Sequence, residues 1–222
     1  MSKRKKLFQE LSMNPLVNQS QLKGNVHSIE TFGAFDGPGI RYVLFLQGCP
    51  FRCQYCHNRD TWDQVENKLM SVREVLHDFE TYSHFYRNGG LTVSGGEALL
   101  QIDFLIELFK EAKQRNIHTC LDTSAGCYNE TKNEKYIELL KYTDLVLLDI
   151  KHIDDLEHIK LTKHSNYRVL SFARLLNQLN VKTVVRHVLL PTINDQEIYV
   201  YKLRNFLDTL SNITKIEVLP YH

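Results

Sequence analysis

Hydrophobic positions recur along this chain in two rhythms that take turns. Residues 41–46 form a short apolar run that predicts a strand. Residues 72–87 have helical spacing, with Val72, Val75, Leu76, Phe79 and Tyr82 on one side. Residues 91–93 predict a strand stopped by Ser94-Gly95-Gly96, and 98–115 a helix. A strand over 117–121 ends at Asp122-Thr123, a helix spans 132–141, and 145–150 is a near-continuous apolar strand. Helices over 169–179 and 196–210 and strands over 181–190 and 215–219 complete the pattern. Residues 1–23 are polar and lack a clear period, which predicts a poorly ordered extension ahead of a domain over 24–222.

Strands that alternate with helices imply βαβ units and a parallel sheet. A strand such as Leu145-Val-Leu-Leu148 is apolar on both faces, as a strand covered on both sides must be. Polar residues gather where the strands end: a cysteine-rich loop, Ser94-Gly-Gly-Glu97, Asp122-Thr123, Asp149-x-Lys151 and Tyr221-His222. In a barrel-like α/β fold those ends form one face, and ligands bind there.

The densest chemistry is Gly48-Cys-Pro-Phe-Arg-Cys-Gln-Tyr-Cys-His-Asn58, which spaces Cys49, Cys53 and Cys56 as C-x3-C-x2-C. A loop this tight points three thiolates at one centre, and thiolates select iron–sulfur clusters, zinc or copper. No fourth cysteine lies nearby, since Cys120 and Cys127 are far downstream. Zinc also accepts a Cys3His set. His57 directly follows Cys56, however, and adjacent residues rarely reach one metal without strain. The odd cysteine count argues against a disulfide framework. The spacing ranks an iron–sulfur cluster ahead of zinc, and both ahead of disulfides.

Other motifs carry less on their own. Gly95-Gly96 lets backbone approach a ligand closely, but such pairs often mark only a turn. Glu97 could serve simply to complement a helix dipole. Asp149 and Lys151, two apart on a strand, share a face, either as an ion pair or as a grip on a ligand that carries both charges. Asp122-Thr123 is a turn cap or part of a site. Arg186 sits mid-strand and is costly to bury alone, so a polar cavity is its natural place. Asp36-Gly-Pro-Gly39 reads as a turn.

Composition narrows the class. The chain has 222 residues, 43% of them hydrophobic, enough for one domain with a full core. A net charge of +1 leaves no global footprint for nucleic acid, and Met1-Ser-Lys-Arg-Lys-Lys6 reads as a solvated tail. No segment is long and apolar enough to span a bilayer, and none resembles a secretory signal; a cytoplasmic home follows.

Together the motifs resemble the radical S-adenosylmethionine superfamily and, within it, the activating enzymes of pyruvate formate-lyase. The resemblance runs from Gly24 to His222. It rests on Asp36-Gly-Pro-Gly-Ile-Arg41, Gly48-Cys49, Tyr55-Cys-His-Asn-Arg-Asp-Thr-Trp62, Ser94-Gly-Gly-Glu-Ala98, His118-Thr-Cys-Leu-Asp-Thr123, Asp149-x-Lys151 and Leu219-Pro-Tyr-His222. It implies a partial (β/α)6 TIM-like barrel and a [4Fe–4S] cluster on Cys49, Cys53 and Cys56. S-adenosylmethionine would bind Tyr55, Cys56, His57, Gly96, Asp149, Ile150, Lys151 and His222. A monovalent cation would lie by Asp122, Thr123 and Asp149, with Asp36 and Arg186 also facing the cavity.

The implied reaction makes a glycyl radical on a partner, formate acetyltransferase, with a flavodoxin or ferredoxin-type electron donor. No cysteine lies between Cys56 and Gly95, unlike activases that carry a ferredoxin-like insert. Two sites depart from the family's glycines: Lys163-His164 before Ser165-Asn166, and Thr192 after Pro191. The alternatives are a radical enzyme acting on another glycyl-radical enzyme or on a small molecule, such as a deazaguanine-type synthase, and a zinc-binding interaction module.

Overall fold

The computed structural model describes residues 22–221. The expected extension over 1–23 falls outside these residues except for Leu22 and Lys23, and His222 lies outside them too. Among the described residues there are eight strands: β1 (Lys23–Gly33), β2 (Arg41–Leu46), β3 (Lys68–Ser71), β4 (Gly90–Gly95), β5 (Thr119–Thr123), β6 (Leu145–Asp149), β7 (Thr183–Leu189) and β8 (Ile213–Pro220). Six helices join them: α1 (Val72–Thr81), α2 (Ile102–Gln114), α3 (Asn133–Lys141), α4 (Asp155–Thr162), α5 (Tyr167–Gln178) and α6 (Glu197–Leu207).

All eight strands form one sheet in the order β3-β1-β2-β4-β5-β6-β7-β8. From β2 to β8 every pairing is parallel, which gives the six expected barrel strands. The sheet does not close, so the barrel is partial. The strands β1 and β3 add an antiparallel flap beside β2.

Side chains alternate across the parallel strands. Leu44, Leu46, Val93, Leu121, Val146, Leu148 and Val185 face outward and are sealed by helical residues such as Phe104, Leu105, Leu108 and Phe172. The concave face carries Leu145, Leu147 and Asp149 of β6, Val184, Arg186 and Val188 of β7, and Lys215, Glu217 and Leu219 of β8. On β6 and β7 apolar residues thus occupy the strand starts and charge enters toward the strand ends, while β8 carries Lys215 near its start. Arg41 is a further charge at the barrel floor. It is fully buried and donates to Thr92 Oγ1, to Leu91 O at 2.8 Å and to Pro38 O at 3.1 Å. These bonds tie the Asp36–Gly39 turn to the barrel. Gly39 is required in that turn: its φ is +70°, and a Cβ would meet Asn88 O at 2.1 Å.

Three departures from the predicted elements have physical reasons. The helix expected over 72–87 ends at Thr81, where Ser83 Oγ donates to Glu80 O and a 3-10 turn follows. Its start is fixed by a capping box, in which Ser71 Oγ accepts from Glu74 N and Ser71 N donates to Glu74 Oε2. The helix expected over 98–115 opens with a 3-10 turn, Ala98–Gln101. Helix α4 was not foreseen, because its buried side is His158, Leu161 and Thr162 and shows little apolar period.

Candidate active site

The loop after β2 is folded by its own backbone and by α4. Gly48 N donates to Thr61 O at 2.8 Å and Cys49 N to Trp62 O at 3.2 Å, closing the loop on itself. Arg52 N donates to Thr162 O at 2.9 Å and Gln54 N to Leu161 O at 3.1 Å, pinning the other side to the end of α4. Arg52 Nη1 also donates to Cys49 O and Phe51 O.

Cys49, Cys53 and Cys56 all line one cavity of about 490 Å³ at the C-terminal ends of the parallel strands. The structure brings Tyr55, His57, Gly96, Asp122, Thr123, Asp149, Lys151, Asp36 and Arg186 to the same cavity. Ile150 is not brought there. Its side chain is fully buried in the core, its N–H donates to Arg186 O, and its carbonyl accepts from His187 Nδ1 at 2.7 Å. His222 lies outside the described residues.

Gly96 permits a close approach in the site, since a Cβ there would fall 2.4 Å from Gly48 O and 2.9 Å from Cys49 Cβ. The strand end can therefore rest directly on the cysteine loop. Glu97 is buried and does more than cap. It accepts from Leu99 N, Thr123 Oγ1, Ser124 N and Ser124 Oγ, joining the glycine turn to the end of β5. Sequence reasoning missed this tether and Ser124, although Ser124 directly follows the polar pair that flagged the end of β5.

The charges are arranged in two ion pairs. Lys151 Nζ meets Asp149 Oδ2 at 2.6 Å, and Arg186 Nη1 meets Asp122 Oδ2 at 3.3 Å. Burial opposes the charge on Lys151, but Asp149 and Tyr55 more than offset it and hold the amine well above its ordinary value. Burial pushes Asp122 up to about 6, with Arg186 working against the rise and Asp149 adding to it. Asp36 is also raised by burial. The Tyr55 hydroxyl is buried beside Lys151, yet makes no hydrogen bond within ordinary limits. His57 is exposed, and its ring stacks near Tyr221 at 6.2 Å. Thr123 is less free than its position suggests, because its hydroxyl donates to Glu97 and accepts from Ala125 N.

The cysteines suit a group that brings positive charge. Burial pushes Cys49 up to about 12 and raises Cys53, so neither is an anion by the protein's own field. Metal binding supplies the missing drive and releases the protons. Among the described residues no three His, Cys, Asp or Glu side chains close on a single ion. Three thiols lining one cavity are the donor set an iron–sulfur cluster takes. Cys120 lies elsewhere, in a small apolar cluster with Leu145, Leu147 and Val184, and all five cysteines are free.

An open parallel barrel with a three-cysteine loop over its strand ends defines a radical S-adenosylmethionine protein, and the family model "Radical SAM superfamily" matches residues 43–203. The chain belongs to that superfamily and falls among its pyruvate formate-lyase-activating enzymes. The proteins of that name from Staphylococcus epidermidis and Staphylococcus aureus are each 50% identical to it over 206 residues, covering 90% of this chain and 82% of theirs. A crystal structure of a domain of pyruvate-formate lyase-activating enzyme from Bacteroides vulgatus aligns with a TM-score of 0.56 and 29% identity. That alignment covers 61% of this chain and 82% of the other. QueE from Escherichia coli shares the fold, with a TM-score of 0.61 at 18% identity over 91% of this chain and 86% of its own.

Proposed function

We propose that this protein activates a pyruvate formate-lyase (formate acetyltransferase) by forming a glycyl radical on it, using S-adenosylmethionine and a [4Fe–4S] cluster held by Cys49, Cys53 and Cys56. The observation that carries the reading is the meeting of these three thiols with Gly96, Asp149 and Lys151 around one cavity. The bound cluster and cofactor supply one electron and a carbon centre able to take a hydrogen atom; that chemistry is theirs rather than the protein's.

The residues of the chain bind and orient. Lys151, raised and charged, would hold the cofactor carboxylate and Asp149 its amino group. Gly96 would leave room for the methionine end, and Tyr55 and His57 would contact the adenine. His222 is part of the same proposed set. A monovalent cation beside Asp122, Thr123 and Asp149 is a finer proposal, supported by two adjacent carboxylates and the raised Asp122.

The substrate is read as a protein segment. A second cavity, of about 460 Å³ and lined by residues that include Phe35, Pro38, Val184 and Glu217, adjoins the first through Arg186 and Leu219. A glycine-bearing backbone could enter there past Asp36 and Arg186, and the partner itself would then help to keep water out. The electron is taken to come from a flavodoxin or ferredoxin-type donor. A cytoplasmic setting fits the free thiols, and among the described residues no helix is long and apolar enough to cross a membrane.

The test is electron paramagnetic resonance on anaerobically reconstituted protein mixed with S-adenosylmethionine, reductant and a pyruvate formate-lyase. The expected result is a glycyl-radical signal in the partner with one 5′-deoxyadenosine per radical. Turnover of a small molecule with no signal in the partner would overturn the reading.

A further inference from the structure

The cysteine loop is gripped from outside by residues that touch neither thiol nor cavity. Phe51, between Cys49 and Cys53, is 1% exposed. His164 stacks on its ring at 5.3 Å with an interplanar angle of 29°, and His158 meets it edge-on at 5.6 Å. On another side Gly126 lies so close that a Cβ would fall 2.3 Å from the ring. His164 Nε2 is 2.8 Å from Pro50 O, an acceptor only, so the imidazole proton sits on Nε2. His158 Nδ1 in turn donates to His164 O at 2.6 Å. The grip depends on Lys163, whose φ of +70° ends α4 in a left-handed turn and swings His164 back over the loop.

We infer that His164 is a positioning residue for the cluster. Its Nε2–H and ring face fix Pro50 and Phe51, and so fix the spacing of Cys49 from Cys53. The inference rests on the cluster reading above. Outer partners that orient metal ligands commonly change metal retention by about ten- to a hundredfold when removed. The left-handed turn at Lys163 is what places this donor on a carbonyl of the cysteine loop.

The test uses the anaerobically reconstituted full chain and three variants: His164→Ala, His164→Phe, which keeps the stack without the donor, and His164→Gln, which keeps a donor at similar reach. The readouts are the rate of iron loss to a chelator, the cluster midpoint potential and the unfolding midpoint of the protein. The Ala and Phe variants are expected to lose iron about tenfold faster with a shifted potential, and Gln to recover most of both. Equal iron loss and potential in all four proteins would overturn the inference, even if unfolding midpoints fell, since that pattern marks a merely structural residue. Failure of Gln to recover anything would overturn the donor role. A parent protein that holds no cluster would sink the functional reading itself, and this inference with it.

Discussion

Replacing Glu97 by Gln changes one atom in a site where four donors converge. Glu97 is 1% exposed. One carboxylate oxygen accepts from Leu99 N at 3.1 Å and Thr123 Oγ1 at 2.5 Å; the other accepts from Ser124 N at 3.1 Å and Ser124 Oγ at 2.6 Å. A carboxylate is acceptor-only and matches this set, whereas an amide must aim its NH2 at one of the two donor pairs. A hydroxyl in that pair can rotate and accept, but the backbone N–H cannot. One buried N–H is therefore orphaned, at about 1–3 kcal/mol. The surviving bonds also lose their charge assistance, about 1 kcal/mol more. The sum is about 2–4 kcal/mol. For a chain of this size each kcal/mol lowers the midpoint by roughly 2–4 °C, so a fall on the order of 10 °C is expected. Thermal unfolding followed by circular dichroism checks it. Because the tether joins two walls of the cavity, S-adenosylmethionine affinity should fall as well. A Gln variant melting within about 1 °C of the parent would refute the reasoning, since it would mean that the four donors find other partners.

Thr192 is exposed and holds φ at +67°, so Thr192→Gly should stabilise by about 0.5–1 kcal/mol, the left-handed strain relieved less the added freedom of the unfolded glycine; urea midpoints decide the sign. His158 and His187 are pushed below 6.5 by burial. At these histidines the unfolded chain binds protons first, a contribution that lowers stability from about pH 6.5 downward, while Asp122, raised to about 6, binds its proton first in the folded chain and opposes it; the check is the difference in denaturant midpoints between His187→Gln and the parent, which should move in the variant's favour from pH 7.5 to 5.5. Single Cys→Ala changes at Cys49, Cys53 or Cys56 should abolish iron binding in anaerobic reconstitution, while Cys120→Ala and Cys127→Ala should retain it; equal loss from either of the latter would break the ligand assignment.

The parallel half of the fold was legible because burial on both faces leaves a plain mark, as in Leu145-Val-Leu-Leu148. The site was legible for a related reason: polar residues at the ends of otherwise apolar strands have no structural need to be there, and five such ends converge. The antiparallel β1 and β3 left no such mark, since both are partly exposed and mix polar with apolar residues. Helix α4 escaped because a histidine and a threonine do the work of apolar residues on its buried side. Ile150 and Thr123 show a different limit. Their neighbours point into the cavity, but the Ile150 side chain alternates to the other face, and the Thr123 hydroxyl is already bonded to Glu97. Sequence position identifies a strand end, while only three dimensions show which atoms there are still free.

The two ion pairs of the cavity bear on how substitutions in it are to be read. Asp122, Asp149 and Arg186 sit on neighbouring strands β5, β6 and β7, Lys151 follows the end of β6, and Asp122 and Arg186 both feel Asp149. Removing one partner of a buried pair leaves an uncompensated charge, which costs about 3–5 kcal/mol. A single change at Arg186 or Asp122 would thus disturb the barrel as well as any ligand bound in it, and lost activity alone could not separate the two effects. Removing Asp149 together with Lys151 leaves neither member stranded, so the remaining defect reports on binding, whereas Arg186 also meets Glu217 Oε2 at 3.9 Å and its removal takes a partner from a third charge. On the proposed reading these charges would suit a cofactor with both an ammonium and a carboxylate. Each ion pair joins one acid to one base, Lys151 to Asp149 at 2.6 Å and Arg186 to Asp122 at 3.3 Å, so a zwitterion that exchanged partners with them would create no new unpaired buried charge.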